Sequence, residues 1–192
     1  MAAEGGLTTS GYILHHLTNL TYGKLPAGYE RLDAQGQVSE ALAQPTWTIA
    51  HDGGEAAAMG FSAIHLDSMG WSIALGLIFI FLFRRVAVNI HSGVPTGFQN
   101  FIEMIVEFID TNVKDSFPYK SKFVAPLALT IFVWIFFMNL MDLIPVDWIP
   151  QLAAYLSGNP HLYFKVVPST DPNITLGMAF TVFGLIIFFS IQ

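Results

Sequence analysis

The sequence predicts an all-α integral membrane protein of three transmembrane helices plus one cytoplasmic amphipathic helix, and three observations carry that prediction. With 53% hydrophobic and 11% charged residues and a mean hydropathy of +0.54, the chain is too apolar for an ordinary water-soluble domain. Three stretches, 66–83, 123–142 and 173–192, are long and apolar enough that at ~1.5 Å per residue each covers most or all of a ~30 Å hydrocarbon core. A fourth, 94–113, alternates apolar and polar residues with helical period instead.

Residues 1–65 are expected to form an external, poorly ordered arm. Turn formers Pro26, Gly28, Gly36, Pro45 and Gly53-Gly54 punctuate it, and a short helical piece is expected within 11–20. The adjacent pair His15-His16 diverges on a helix and has no second cluster at ligand spacing, so helix packing or hydration is favoured over a metal site. Met1 to Ser10 lacks a basic start followed by an apolar run. The first span is therefore expected to act as the targeting signal, with Arg84-Arg85 as its stop.

Charge sets the orientation. The arm holds six acids against Lys24 and Arg31, whereas 84–122 holds Arg84, Arg85, Lys114, Lys120 and Lys122, five of the eight basic residues. The positive-inside rule makes 84–122 cytoplasmic and puts the N-terminal arm and the loop 143–172 outside, with Lys165 the one basic residue against the trend. Within 84–122, Phe98, Phe101, Ile102, Ile105, Phe108, Ile109 and Val113 recur at three- and four-residue steps beside a stripe of Glu103, Glu107, Asp110 and Lys114. Such a helix lies at the membrane interface or against partner helices. Its acidic face favours a protein partner over anionic lipid.

Polar groups at the rim of the second span are the candidate chemistry. Asn139 and Asp142, three residues apart, share one helix face at its external end, and Pro145 ends or bends the helix nearby. An amide followed by a carboxylate can pass protons through bound water. Equally, Asp142 can mark the interface while Asn139 bonds a neighbouring helix, and the residues alone leave both readings open. In the following loop, Ile149 to Leu156 is expected to form a short surface helix. Asp171 is a good N-cap before Pro172, and a hairpin from the second to the third span would bring Asp171 and Asn173 to the rim that Asn139 and Asp142 occupy. Gly177, Thr181 and Gly184 permit close helix packing along the third span. Without cysteine the chain holds no thiolate site. No nucleophile and base within the spans marks a hydrolase, and no internal repeat marks a secondary transporter.

The run from Lys120 to Pro145, KSKFVAPLALTIFVWIFFMNLMDLIP, resembles the N-terminal portion of subunit a of the bacterial F-type ATP synthase. GYILHHLTNL from Gly11, HLDSM from His65, SGVP from Ser92, VKD from Val113 and VVPS from Val166, followed by Asp171 and Asn173, agree in order and spacing. The resemblance covers nearly the whole chain outside about 21–60.

That resemblance implies a multi-pass stator subunit of the bacterial inner membrane, with its N-terminus outside, conducting protons beside a ring of c subunits and held by the b subunits of the peripheral stalk within the F1Fo complex. It implies no catalysis by this chain alone, no cofactor, no metal and no nucleic-acid partner. Two half-channels load and unload a ring carboxylate in that family. The outer one is lined by residues matching Asn139, Asp142, Ser169, Asp171 and Asn173, and Asp147 matches an acid at the same mouth. The family continues with two long tilted helices that carry an essential arginine, whereas this sequence ends at Gln192; a partial sequence that conducts no protons alone is the expectation. The alternative function is a non-conducting membrane scaffold or assembly subunit.

Overall fold

A computed structural model describes Ile13 and residues 16–32, 38–91, 93–95, 97–116, 122–158 and 162–191. The chain is mostly helical. Strands β1 (Thr21–Leu25), β2 (Glu30–Leu32), β3 (Val38–Ala41) and β4 (Thr46–Ile49) precede helix α1 (Gly53–Met59) and strand β5 (Ala63–His65). Helices α2 (Leu66–Val88), α3 (Gly97–Ser116), α4 (Val124–Leu140), α5 (Trp148–Ser157) and α6 (Pro172–Ile191) follow. Contacts divide the chain into two compact units, one comprising the residues up to Trp71 with those from Ile144 onward, the other Ser72–Leu143.

Three helices are long and apolar enough to cross a membrane: α2 with 23 residues, α4 with its following 3-10 turn spanning 20, and α6 over 18. Large apolar side chains such as Ile80, Phe81, Phe136, Phe180 and Phe183 remain exposed on them, the arrangement expected where lipid rather than protein covers a helix. Helix α4 stops at Leu140 and tightens into a 3-10 turn at Met141–Leu143. Pro145 lacks an N–H and its ring crowds the carbonyl four residues back, so the change falls where that clash would begin.

In the first unit, β4, β1 and β5 form an antiparallel sheet with β1 in the middle, and β2 pairs with β3. Along β1, Thr21, Gly23 and Leu25 point inward while Tyr22 and Lys24 face out, the period-two pattern of a half-buried strand. Leu25, Ala50 and Met59 form a small core, flanked by Tyr29, Leu42, Ala56 and Ala63. Gly23 is required there: a Cβ would fall 2.6 Å from Met59 Sδ and 2.8 Å from the Ser62 carbonyl oxygen. Beside it, Arg31 clasps the buried Glu55 in two bonds, Nε to Oε1 at 2.8 Å and Nη2 to Oε2 at 3.0 Å, and the His51 N–H adds a third at 2.9 Å.

The poorly ordered arm is therefore corrected over its described part. Pro26 and Gly28 turn the chain between β1 and β2, with Gly28 at φ +80°, and Pro45 precedes β4. Each strand is only three to five residues long, and β1 finds β5 some 40 residues away, with Thr21 opposite His65. Pairing over that separation leaves little local pattern. Within the expected helical piece at 11–20, Ile13, His16 and Leu17 are helical, whereas 11, 12, 14 and 15, including His15, lie outside the described residues, as does Gly36.

In the second unit, the Trp134 indole N–H of α4 donates to the Ser72 carbonyl of α2 at 2.8 Å. Gly76 makes room, since a Cβ there would meet the indole at 3.3 Å. The amphipathic helix runs 97–116, three residues later than the expected 94–113, and opens at Gly97 with φ +56°. Of its apolar stripe Ile102 and Ile109 are buried, while Phe98, Phe101 and Phe108 stay exposed.

Candidate functional site

Among the predicted site residues, the structure joins Asp171 and Asn173 most closely. A 3-10 turn over Pro168–Thr170 delivers the chain to Asp171, and Pro172 opens α6. The Asp171 backbone is extended, at φ -87° and ψ 116°, and its carbonyl accepts the N–H groups of Ile174 and Thr175. Its side-chain Oδ1 accepts the Asn173 N–H at 3.0 Å, satisfying a donor that the helix itself leaves free. Ser169 sits in the preceding turn, half-buried.

The other carboxylate oxygen has a partner that sequence reasoning missed. Asp171 Oδ2 lies 2.5 Å from Nδ1 of His65, the last residue of β5. Asp171 is 1% exposed and the His65 side chain 30%, so the pair reaches from the interior to water. Burial is the largest influence on Asp171 and pushes its carboxyl up. It is outweighed by the hydrogen bonds from His65 and the Asn173 N–H, the charge of His65 and a bond from Ser68, which together hold the carboxyl below its usual range. The available signal was a histidine closing a strand just before an apolar span. Its partner, 106 residues further on, could not be read from spacing.

A second carboxylate anchors this region. Asp67, buried at the start of α2, accepts the N–H groups of Leu20 at 2.8 Å, Ser68 at 2.7 Å and Lys165 at 2.8 Å, and the Asn19 amide at 3.2 Å. It thereby ties the entry to β1, the mouth of α2 and the segment leading to Asp171. The backbone N–H of Lys165, and not its charge, makes that contact.

Asp147, just before α5, pairs with His16 Nε2 at 3.2 Å. Two acids of the expected outer mouth thus each meet a histidine from the first 65 residues. Asn139 and Asp142 belong to the other unit. Asn139 lies in the last turn of α4 and Asp142 in the 3-10 turn that follows, and both are exposed. The second unit also holds a cleft of about 970 Å³ with an apolar floor including Ile102, Ile109 and Leu129, rimmed by Arg84, Lys122 and Glu107.

The ATP synthase A chain family matches residues 69–192. Over the whole chain, the sequence is 58% identical to the ATP synthase subunit a of Teredinibacter turnerae and 57% identical to that of Saccharophagus degradans, covering 61% of each. It is 58% identical to the subunit a of Acinetobacter baumannii, covering 62% of that protein. The chain therefore spans about three-fifths of the length of these relatives. Together with three apolar helices of spanning length, the match over well more than half of the residues means that the chain belongs to the ATP synthase A chain family.

Proposed function

We propose that this chain is the membrane part of a proton path in the Fo sector of an ATP synthase, and the observation that carries the reading is its family membership along the whole sequence. It lies in the bacterial inner membrane with its N-terminus outside, as the cluster of basic residues in 84–122 favours. The outer half-channel is lined by Asn139, Asp142, Ser169, Asp171 and Asn173, with Asp147 at its mouth. A carboxylate at the rim of a hydrocarbon core is costly unless it meets water or a partner, and that cost supports a path over ornament. Water hydrogen-bonded along Asn139, Asp142 and Asn173, the exposed members of this set, carries protons to a carboxylate on the ring of c subunits.

The acidic stripe Glu103, Glu107 and Asp110 on α3, beside the cleft, favours a protein partner there, and the b subunits of the peripheral stalk are the proposed occupant. The chain has no catalytic role of its own in this scheme.

Replacing Asp142 by Asn in the complete complex tests the reading. Normal assembly with proton pumping reduced at least about tenfold is expected, because the amide keeps the shape and loses the exchangeable proton. Lost assembly with no selective transport defect would instead favour the non-conducting scaffold.

A further inference from the structure

The arrangement around Asp171 divides labour between two side chains. Oδ1 is taken by the Asn173 N–H and Oδ2 by His65, and the residue is 1% exposed. No carboxylate oxygen is left facing water, so this acid is poorly placed to trade protons with it. The imidazole bonded to Asp171 is 30% exposed and holds its second nitrogen, Nε2, opposite the bonded Nδ1. Imidazole is the side chain whose ordinary titration range spans neutral pH.

Resting on the proton-path reading above, we infer that His65 is the group that takes up protons at the outer end of the path, with Asp171 positioning it. Asp171 accepts the Nδ1–H and fixes that tautomer, which leaves the Nε2 lone pair as the base. A proton from external water binds Nε2 and gives imidazolium, whose charge the buried carboxylate stabilises. The same proton then leaves Nε2 to the next water inward, and neutral His65 is restored with Nδ1–H still donated to Asp171. One proton enters and one leaves per cycle. The depressed Asp171 carboxyl agrees with this role, since it stays ionised as an acceptor and does not store the proton.

The register of the sheet serves the same end. β5 pairs with the middle strand through Thr21 opposite His65 and Tyr22 opposite Ile64, so the histidine is carried on a braced strand. The remaining charged groups of this neighbourhood are Asp67, two residues on and held by four hydrogen-bond donors, and Lys165, whose N–H is one of them. His16 with Asp147, 3.2 Å apart, is a further histidine–carboxylate pair of the same unit. The comparison of variants, not the wild-type pH profile alone, therefore identifies the group.

The experiment measures passive proton conduction through the complete Fo complex in vesicles from about pH 5.5 to 8.5, a range bracketing the imidazole titration. Wild type is compared with His65→Asn and His65→Ala, each with and without added imidazole. Asparagine can donate the same hydrogen bond to Asp171 and cannot titrate. The expected result is normal assembly of H65N, conduction lowered about tenfold or more, a pH profile changed from that of wild type, and partial restoration of H65A by imidazole. H65N conducting with the wild-type rate and pH profile overturns the inference, and so does failure of H65N to assemble, because either makes the contact a structural pin. A wild-type complex that conducts no protons would refute the proton-path reading itself, which keeps the two failures apart.

Discussion

Replacing Arg31 by Ala isolates what holds the N-terminal sheet together. The guanidinium makes bonds of 2.8 and 3.0 Å to a carboxylate that is 1% exposed, and among the described residues the other donor to that carboxylate's oxygens is the His51 N–H at 2.9 Å. Breaking one side of a buried ion pair costs about 3–5 kcal/mol, because the remaining charge keeps its desolvation and loses its partner. Arg31 itself is about one-fifth exposed, so water entering its place favours the lower figure, near 3 kcal/mol. That corresponds to roughly a hundredfold loss of amide protection in β1, β4 and β5. Hydrogen exchange read by mass spectrometry on the purified complex measures it. The pH dependence has a defined sign. Burial raises the Glu55 carboxyl, but the bonds from Arg31 and His51 outweigh it and set it below 4.5. Its stabilisation is then present above the unfolded value and lost as the pH falls through the lower folded one. In R31A the guanidinium no longer opposes burial, so the lowering of the Glu55 carboxyl shrinks, and the stability it contributes above the unfolded value shrinks with it. Replacing both partners by Met is expected to recover most of the protection. R31A within about threefold of wild type would refute the reasoning, since that is under 1 kcal/mol.

Gly23→Ala places a methyl 2.8 Å from the Ser62 carbonyl, which cannot swing aside as Met59 can, and is expected to cost about 1–3 kcal/mol in the same exchange experiment. Trp134→Phe removes the donor to the Ser72 carbonyl and is expected to cost about 1 kcal/mol, read as a lower thermal midpoint of the complex in detergent. Asp171→Asn keeps an acceptor for the Asn173 N–H and loses the charge beside His65. Exchange at amides 173–175 is expected to report a loss of about 1.5–3 kcal/mol near neutral pH. The difference from wild type shrinks as the pH falls from the ordinary carboxyl value of 3.8 through the lower value of the folded protein, where the wild-type group also loses its charge.

Elements defined by local physics were legible without coordinates. The three apolar helices follow from runs without charge, and the α6 boundary from Asp171-Pro172, where cap and first residue sit side by side in the chain. The helix at 148–157 matches the expected 149–156 closely for the same reason. The sheet was missed because its strands are short and its turn formers, read one at a time, resemble those of a loose arm. The proposed site divides along the same line. Asn139, Asp142, Asp147, Asp171 and Asn173 could be named from residue type and resemblance. The imidazoles facing two of those acids could not, since a contact across 106 residues has no period, no spacing and no motif. Sequence by itself determined which segments lipid can surround, because that depends on composition over some twenty residues. Only the tertiary structure decided that Asp171 is a buried acceptor, with both oxygens engaged, and that the imidazole bonded to it is partly exposed. Burial and hydrogen-bond partners are set by what the folded chain brings alongside, and no residue carries them alone.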